Sequence, residues 1–198
     1  MKKTAWIFFL LFSIGLDAAE TCPIPPEDAS QTGIMINEVN TSEEWLELYI
    51  PSGVTVDFQD WTLQLNGPGA NGGTYTICDS SCEYVADGSG IYFIYGNLPA
   101  GVTYGVSDPS FGLHNTIQEI LLTDGSDQLV HYLNYKNSNS NTNSFEYLDC
   151  VTAYPDLVTE IDDPGNSANM CTDEDGLIQD DNEDYANWGS CEDSTPGT

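Results

Sequence analysis

The sequence has almost no positive charge. Its 198 residues carry 32 Asp and Glu but three Lys and no Arg, for a formal net charge of −29. A chain this acidic repels phosphate backbones, which excludes nucleic-acid recognition through a basic patch. Salt bridges cannot hold such a fold together. The acids must be solvated, screened by salt or neutralised by bound cations. Imidazole is scarce as well: His114 and His131 are the only histidines. No Gly-x-Ser-x-Gly elbow accompanies them, so nucleophilic catalysis lacks its usual parts. Neither histidine has acids at ligand spacing, so the two do not suggest a metal site. Long segments of helical periodicity are missing too. After Ala5–Leu16 no second long apolar run occurs, so no membrane span is expected in the mature chain.

The chain opens with a signal for export. Lys2 and Lys3 precede the apolar run AWIFFLLFSIGL, and the small residues Ala18 and Ala19 follow. That order reads as a secretory signal peptide over 1–19, cut after Ala18 or Ala19. Asp17 is unusual so near the cut. Cys22 lacks the small residues before it that lipidation wants, since Ala19-Glu20-Thr21 stands there. Removing 1–19 leaves one cation, Lys136, against 31 acids. The mature protein is expected in the periplasm, at the cell surface or outside the cell, with residues 20–33 as a linker.

All six cysteines lie beyond the leader. An even count in an oxidising compartment points to three disulfides. Zinc is disfavoured because Cys78-x3-Cys82 is the one close pair and has no second pair to match it. Asp79-Ser80-Ser81 is turn chemistry, so Cys78–Cys82 is the expected local bridge. Cys150–Cys171 and Cys22–Cys191 are the remaining assignments, although sequence alone cannot choose among the pairings.

From residue 34 the pattern has period two. Strands are predicted at 34–39, 45–50, 54–58, 61–65, 90–95, 117–123 and 128–135, the last two joined by the turn Asp124-Gly125-Ser126-Asp127. Residues 74–78 and 82–85 read as a hairpin closed by the local cysteine pair. Trp45 and Trp61 are candidate core anchors. Glu38 and Glu47 are expected to face solvent or to bond backbone at a strand end. Many short strands between turn clusters mean an all-β sandwich or barrel. Residues 160–198 are loop-rich and strongly acidic, and they keep Trp188, Cys171 and Cys191.

The residues offer four kinds of candidate chemistry. Asp173, Asp175, Asp180, Asp181, Glu183 and Asp184 form a candidate Ca2+ loop, because hard oxygen ligands at alternate positions suit that ion. An EF-hand reading fails: with Gly176 as the sixth loop position, the first and twelfth are Cys171 and Asn182, and neither is a carboxylate. Otherwise the acids are solvated and Asp175-Gly176 is a turn. Glu38, Glu44 and Glu47 lie in adjacent strands and could converge as a hydrolytic carboxylate set. His131, in a strand, reads as an edge or surface residue, and His114 lies in a loop. Tyr92, Tyr95, Tyr104, Tyr132 and Tyr135 could form a platform for stacking on sugars, against the plain reading that tyrosine favours strands.

Five pieces in order resemble the lamin-tail domain family in its bacterial secreted or surface form. Ile36-Asn37-Glu38-Val39 is similar to its opening strand. Glu44-Trp45-Leu46-Glu47-Leu48-Tyr49 is similar to the next. Val56-Asp57-Phe58-Gln59-Asp60-Trp61-Thr62-Leu63 looks like its corner. Ile120-Leu121-Leu122-Thr123-Asp124-Gly125 looks like its late hairpin. Ser194-Thr195-Pro196-Gly197 looks like its closing turn. The resemblance covers roughly 34–197. Ile50 stands where the family usually has Asn, and Asp60 where it usually has Gly. Asp163-Pro164-Gly165-Asn166 is an alternative closing turn. The resemblance implies an immunoglobulin-like β-sandwich with Gly-, Pro- and Asn-rich loops. It implies no enzymatic activity and no required cofactor, and a role in interaction or attachment through an unknown protein or surface polymer. A Ca2+-dependent carbohydrate-binding module is the alternative function, and a hydrolase the second.

Overall fold

The computed structural model describes residues 33–67, 72–86, 90–136, 145, 147, 157–162, 169–171 and 189–190. The leader, the acidic loop at 173–184, both candidate closing turns, Cys22, Cys150 and Cys191 lie outside the described residues. Among the described residues there is no α-helix, and none long and apolar enough to cross a membrane.

Among the described residues there are thirteen strands: β1 (Met35–Asn40), β2 (Trp45–Ile50), β3 (Thr55–Asp57), β4 (Thr62–Asn66), β5 (Gly73–Thr76), β6 (Glu83–Val85), β7 (Ile91–Gly96), β8 (Gly105–Ser107), β9 (Ile117–Thr123), β10 (Leu129–Lys136), β11 (Val158–Asp162), β12 (Asn169–Cys171) and β13 (Gly189–Ser190). They form a six-stranded sheet in the order β13-β12-β1-β2-β7-β8, a five-stranded sheet in the order β11-β10-β9-β4-β5, and the small pair β3-β6. One apolar core lies between the two large sheets. Ile36, Val39, Leu46, Leu48 and Phe93 from the first meet Leu63, Leu65, Ile120, Leu122 and Leu133 from the second. Period-two patterning thus does what it predicts, giving each sheet an apolar inner face. The result is the expected all-β, immunoglobulin-like sandwich, stapled by the Cys78–Cys82 disulfide.

The sheets are covered outside as well. Leu121, Leu129, Tyr132 and Val158 form a second apolar cluster on the outward side of the five-stranded sheet, with Tyr147 against it. Tyr147 is fixed there by its amide, which donates to Glu119 Oε1 at 2.8 Å, and by Gln64 Nε2, which donates to its hydroxyl at 2.6 Å. The late, acidic part of the chain joins both sheets: β11 runs parallel to β10, and β12 pairs with β1.

The 74–85 hairpin is corrected. The disulfide forms, but β5 pairs with β4 and β6 pairs with β3, so the two strands belong to different sheets. The disulfide loop carries the chain across from one to the other. Its two ends are held by the segment after β3, where the Phe58 amide donates to the Cys82 carbonyl at 3.2 Å and the Asp60 amide to the Cys78 carbonyl at 3.0 Å, and its turn is capped by Asp57. Asp57 Oδ1 accepts the amides of Cys82 at 2.8 Å and Gln59 at 3.1 Å, and Oδ2 accepts Ser81 Oγ at 2.7 Å. Those bonds, the one from Ser81 foremost, hold the Asp57 carboxyl below the usual range.

Asp60, at the corner before Trp61, has φ of 60°. This left-handed backbone is awkward for most side chains and free for glycine. Asp60→Gly is therefore expected to stabilise the exposed corner by roughly 0.5–1 kcal/mol. A lower urea midpoint for the variant would contradict that reading of the turn.

Candidate functional site: a buried carboxylate pair

The β1 strand cannot present its residues by strict alternation. Ile36 and Val39 both face the core, yet they are three positions apart. A β-bulge at Asn37 resolves this: the register passes from Ile36↔Leu48 to Glu38↔Glu47. The extra residue re-aims everything after it, as bulges do. Leu46 and Leu48 point into the core, so Glu47 points outward, and its direct partner Glu38 shares that face.

Neither carboxylate is solvated. Glu38 and Glu47 are each 2% exposed, and Trp45 and Ile94 on the same sheet are fully buried. The expectation that the two glutamates face solvent is corrected. Period two assigns a face, but it does not say whether that face meets water. Asn37 Nδ2 donates to Glu47 Oε1 at 2.7 Å, so the bulge residue also fixes one member of the pair. The Glu38 Oε1 atom is the one buried side-chain oxygen without a hydrogen-bond partner among the described residues. Burial first, then the charges of Glu47 and Glu43, push the Glu38 carboxyl up to about 8.

The neighbouring acids have other work. Glu43 Oε2 accepts Trp45 Nε1 at 3.0 Å and Asn40 Nδ2 at 3.4 Å. Asn40 Oδ1 in turn accepts the amides of Ser42 at 3.1 Å and Glu43 at 2.8 Å, closing the β1–β2 turn. Glu44 does not converge on the pair. Its carboxylate accepts the Leu113 amide, and its carbonyl accepts the Asn97 amide at 2.9 Å.

A second bulge meets the first. In β10 the register shifts between Leu129 and His131, which turns His131 inward opposite Leu122. Its Nδ1 accepts the Ile36 amide at 3.4 Å. His131 is 4% exposed, not the surface residue its strand position suggested. Burial pushes its imidazole down to about 4, so it is neutral at physiological pH. His114 is structural in its loop: Nδ1 accepts the amides of Thr116 at 3.2 Å and Ile117 at 3.3 Å.

The tyrosine platform is not assembled. Tyr95, Tyr132 and Tyr135 are buried, and Tyr92 is half-buried. Tyr135 donates to the His114 carbonyl at 2.6 Å, Tyr132 to Glu119 Oε1 at 2.7 Å, and Tyr95 to Asp108 Oδ2 at 2.8 Å. Tyr104 alone of the five is exposed, at 40%. Trp45 is fully buried but lies on the outward face, and Trp61 packs at the core edge against Phe58. Cys171 falls in β12 opposite Glu38. Among the described residues no set of three His, Cys, Asp or Glu is placed to hold a metal ion. No family model matches the chain, and no curated protein matches it.

Proposed function

We propose that this is a secreted lamin-tail-type sandwich that acts as a non-catalytic interaction or attachment module. The observation that carries the reading is Asp60. The resemblance puts glycine at that corner, and the corner has a positive φ of 60°. Four of the five quoted motif pieces also fall on β1, β2, the β3–β4 corner and the β9–β10 hairpin, in the family's order. Secretion is supported by the leader-like start of the chain and by the Cys78–Cys82 disulfide, which suits an oxidising compartment.

A hydrolase reading draws on one observation, a carboxyl raised to about 8 beside a second carboxylate. It is the weaker reading because both groups are 2% exposed, which leaves a substrate no approach. A glycan array probed with the mature protein, with and without EDTA, separates the readings. The interaction-module reading expects no chelator-sensitive glycan binding. Glycan binding that EDTA abolishes would replace it with the carbohydrate-binding alternative. Turnover of chromogenic glycosides that is lost in Glu38→Gln would replace it with the hydrolase.

A further inference from the structure

We propose that Glu38 and Glu47 form a binding site for a hard divalent cation of the Ca2+ type, on the outward face of the six-stranded sheet. Three observations support it. The two carboxylates stand directly opposite each other across β1 and β2. Like charges so placed repel, and burial removes the water that would screen them. Both are 2% exposed, and Glu38 Oε1 has no hydrogen-bond partner. Finally, the sequence has no arginine and three lysines. Lys2 and Lys3 belong to the expected leader, and Lys136 ends β10 in the other sheet. Among the described residues the one Lys or Arg, Lys136, thus stands on the other sheet from the pair.

The donor set selects the ion. All the ligands are oxygens, which suits Ca2+ or Mg2+ rather than a softer metal. Glu43 is held by Trp45 and Asn40, so the pair supplies two carboxylates and not three. The remaining ligands must be carbonyl oxygens or water. Ca2+ accepts such irregular sets, whereas Mg2+ demands near-octahedral geometry. Two carboxylates place the affinity on the order of 10⁻³ M, the range of extracellular modules. The pair is separate in sequence from the acidic loop at 173–184, so the two can be told apart by substitution.

The test uses the whole mature chain and Tb3+, an oxygen-seeking luminescent stand-in for Ca2+. Trp45 lies on the same face as Glu47, two residues away, and should sensitise Tb3+ emission on indole excitation. Saturable emission displaced by Ca2+ is expected. Glu38→Gln should weaken apparent binding at least tenfold and remove the Ca2+-specific rise in Tm. Glu47→Gln should do the same. Trp45→Phe should remove the emission while Ca2+ still raises Tm. Replacing Asp173, Asp175, Asp180 and Asp181 by Asn should leave these readouts in place. Emission that persists in both glutamine variants, or that disappears with the loop substitutions, would overturn the assignment. So would a Tm rise that Mg2+ or NaCl reproduces at matched ionic strength.

Discussion

Held in EDTA, the protein is expected to lose stability as pH rises from about 6.5 through 8, and Glu38→Gln is expected to abolish that loss. The sign follows from proton counting. Glu38 titrates near 8 in the fold against 4.5 as its ordinary value. Between those values the native state holds a proton that the unfolded chain gives up, so stability falls with rising pH. His131 acts in the opposite sense. It titrates near 4 in the fold against an ordinary 6.5, so the unfolded chain binds the extra proton and stability falls as pH drops. From about 4.5 to 6.5 the two effects offset each other and the profile is flat. Above 6.5 Glu38 acts alone, at about 1.4 kcal/mol per pH unit, so roughly 2 kcal/mol is lost by the time it ionises near pH 8.

Urea unfolding at a series of pH values measures this directly. Glu38→Gln keeps the shape of the neutral carboxyl and cannot ionise. It should match the parent near pH 5 and exceed it by a few kcal/mol above pH 8. A parent profile that stays flat from pH 6.5 to 9 would mean that the Glu38 carboxyl is stabilised as an anion. At the acid end, Asp57 and Asp108 have carboxyls lowered in the fold. The stability they contribute is present above the ordinary Asp value and is lost as pH falls through their lower folded values.

Gly96→Ala is expected to cost about 3–5 kcal/mol, from backbone strain and overpacking together. Gly96 has φ of 114°, a region nearly closed to residues with a side chain. It lies opposite Trp45 where β7 ends. A Cβ there would stand 2.5 Å from the Glu44 carbonyl oxygen, 2.7 Å from Phe111 Cδ1 and 3.0 Å from Trp45 Cα. Two of those three atoms are backbone and cannot swing away. The neighbourhood is also tied together, because the Asn97 amide donates to the Glu44 carbonyl and the Asp108 amide to the Gly96 carbonyl. Gly53→Ala is the control. Its φ is also positive, at 79°, but a Cβ there meets nothing within 4 Å. Its cost should stay near 1–2 kcal/mol, the left-handed backbone penalty alone. Equal urea midpoints for the two variants would show that close contact at Gly96 is not what makes glycine necessary.

Several features were legible in the sequence because they depend on neighbours along the chain. Alternating apolar residues between turn clusters specify strands wherever one face is buried, and β2 spans the very residues, Trp45–Ile50, that this pattern predicts. The four-residue separation of Cys78 and Cys82 made their bridge local. The lack of cationic side chains excluded a fold built on ion pairs before any strand was placed.

Other features depend on what packs against a strand, and no local pattern holds that information. Period two places Glu38 and Glu47 on strands but cannot announce the bulge at Asn37 that sets their face, nor the cover that buries it. The His131 imidazole reaches the Ile36 amide, 95 residues away along the chain, because two bulges meet between the sheets. Asp79-Ser80-Ser81 looked like a hairpin turn because its residues make turns, but the contact that decides its path is Asp57, more than twenty residues upstream. The sequence alone determined composition, the positions of the strands up to β10 except β8, and the local Cys78–Cys82 disulfide, since each follows from residues within a few positions of one another. The tertiary structure decided which carboxylates are buried, which histidine is neutral and which strands share a sheet, because burial and long-range pairing arise only when distant segments pack.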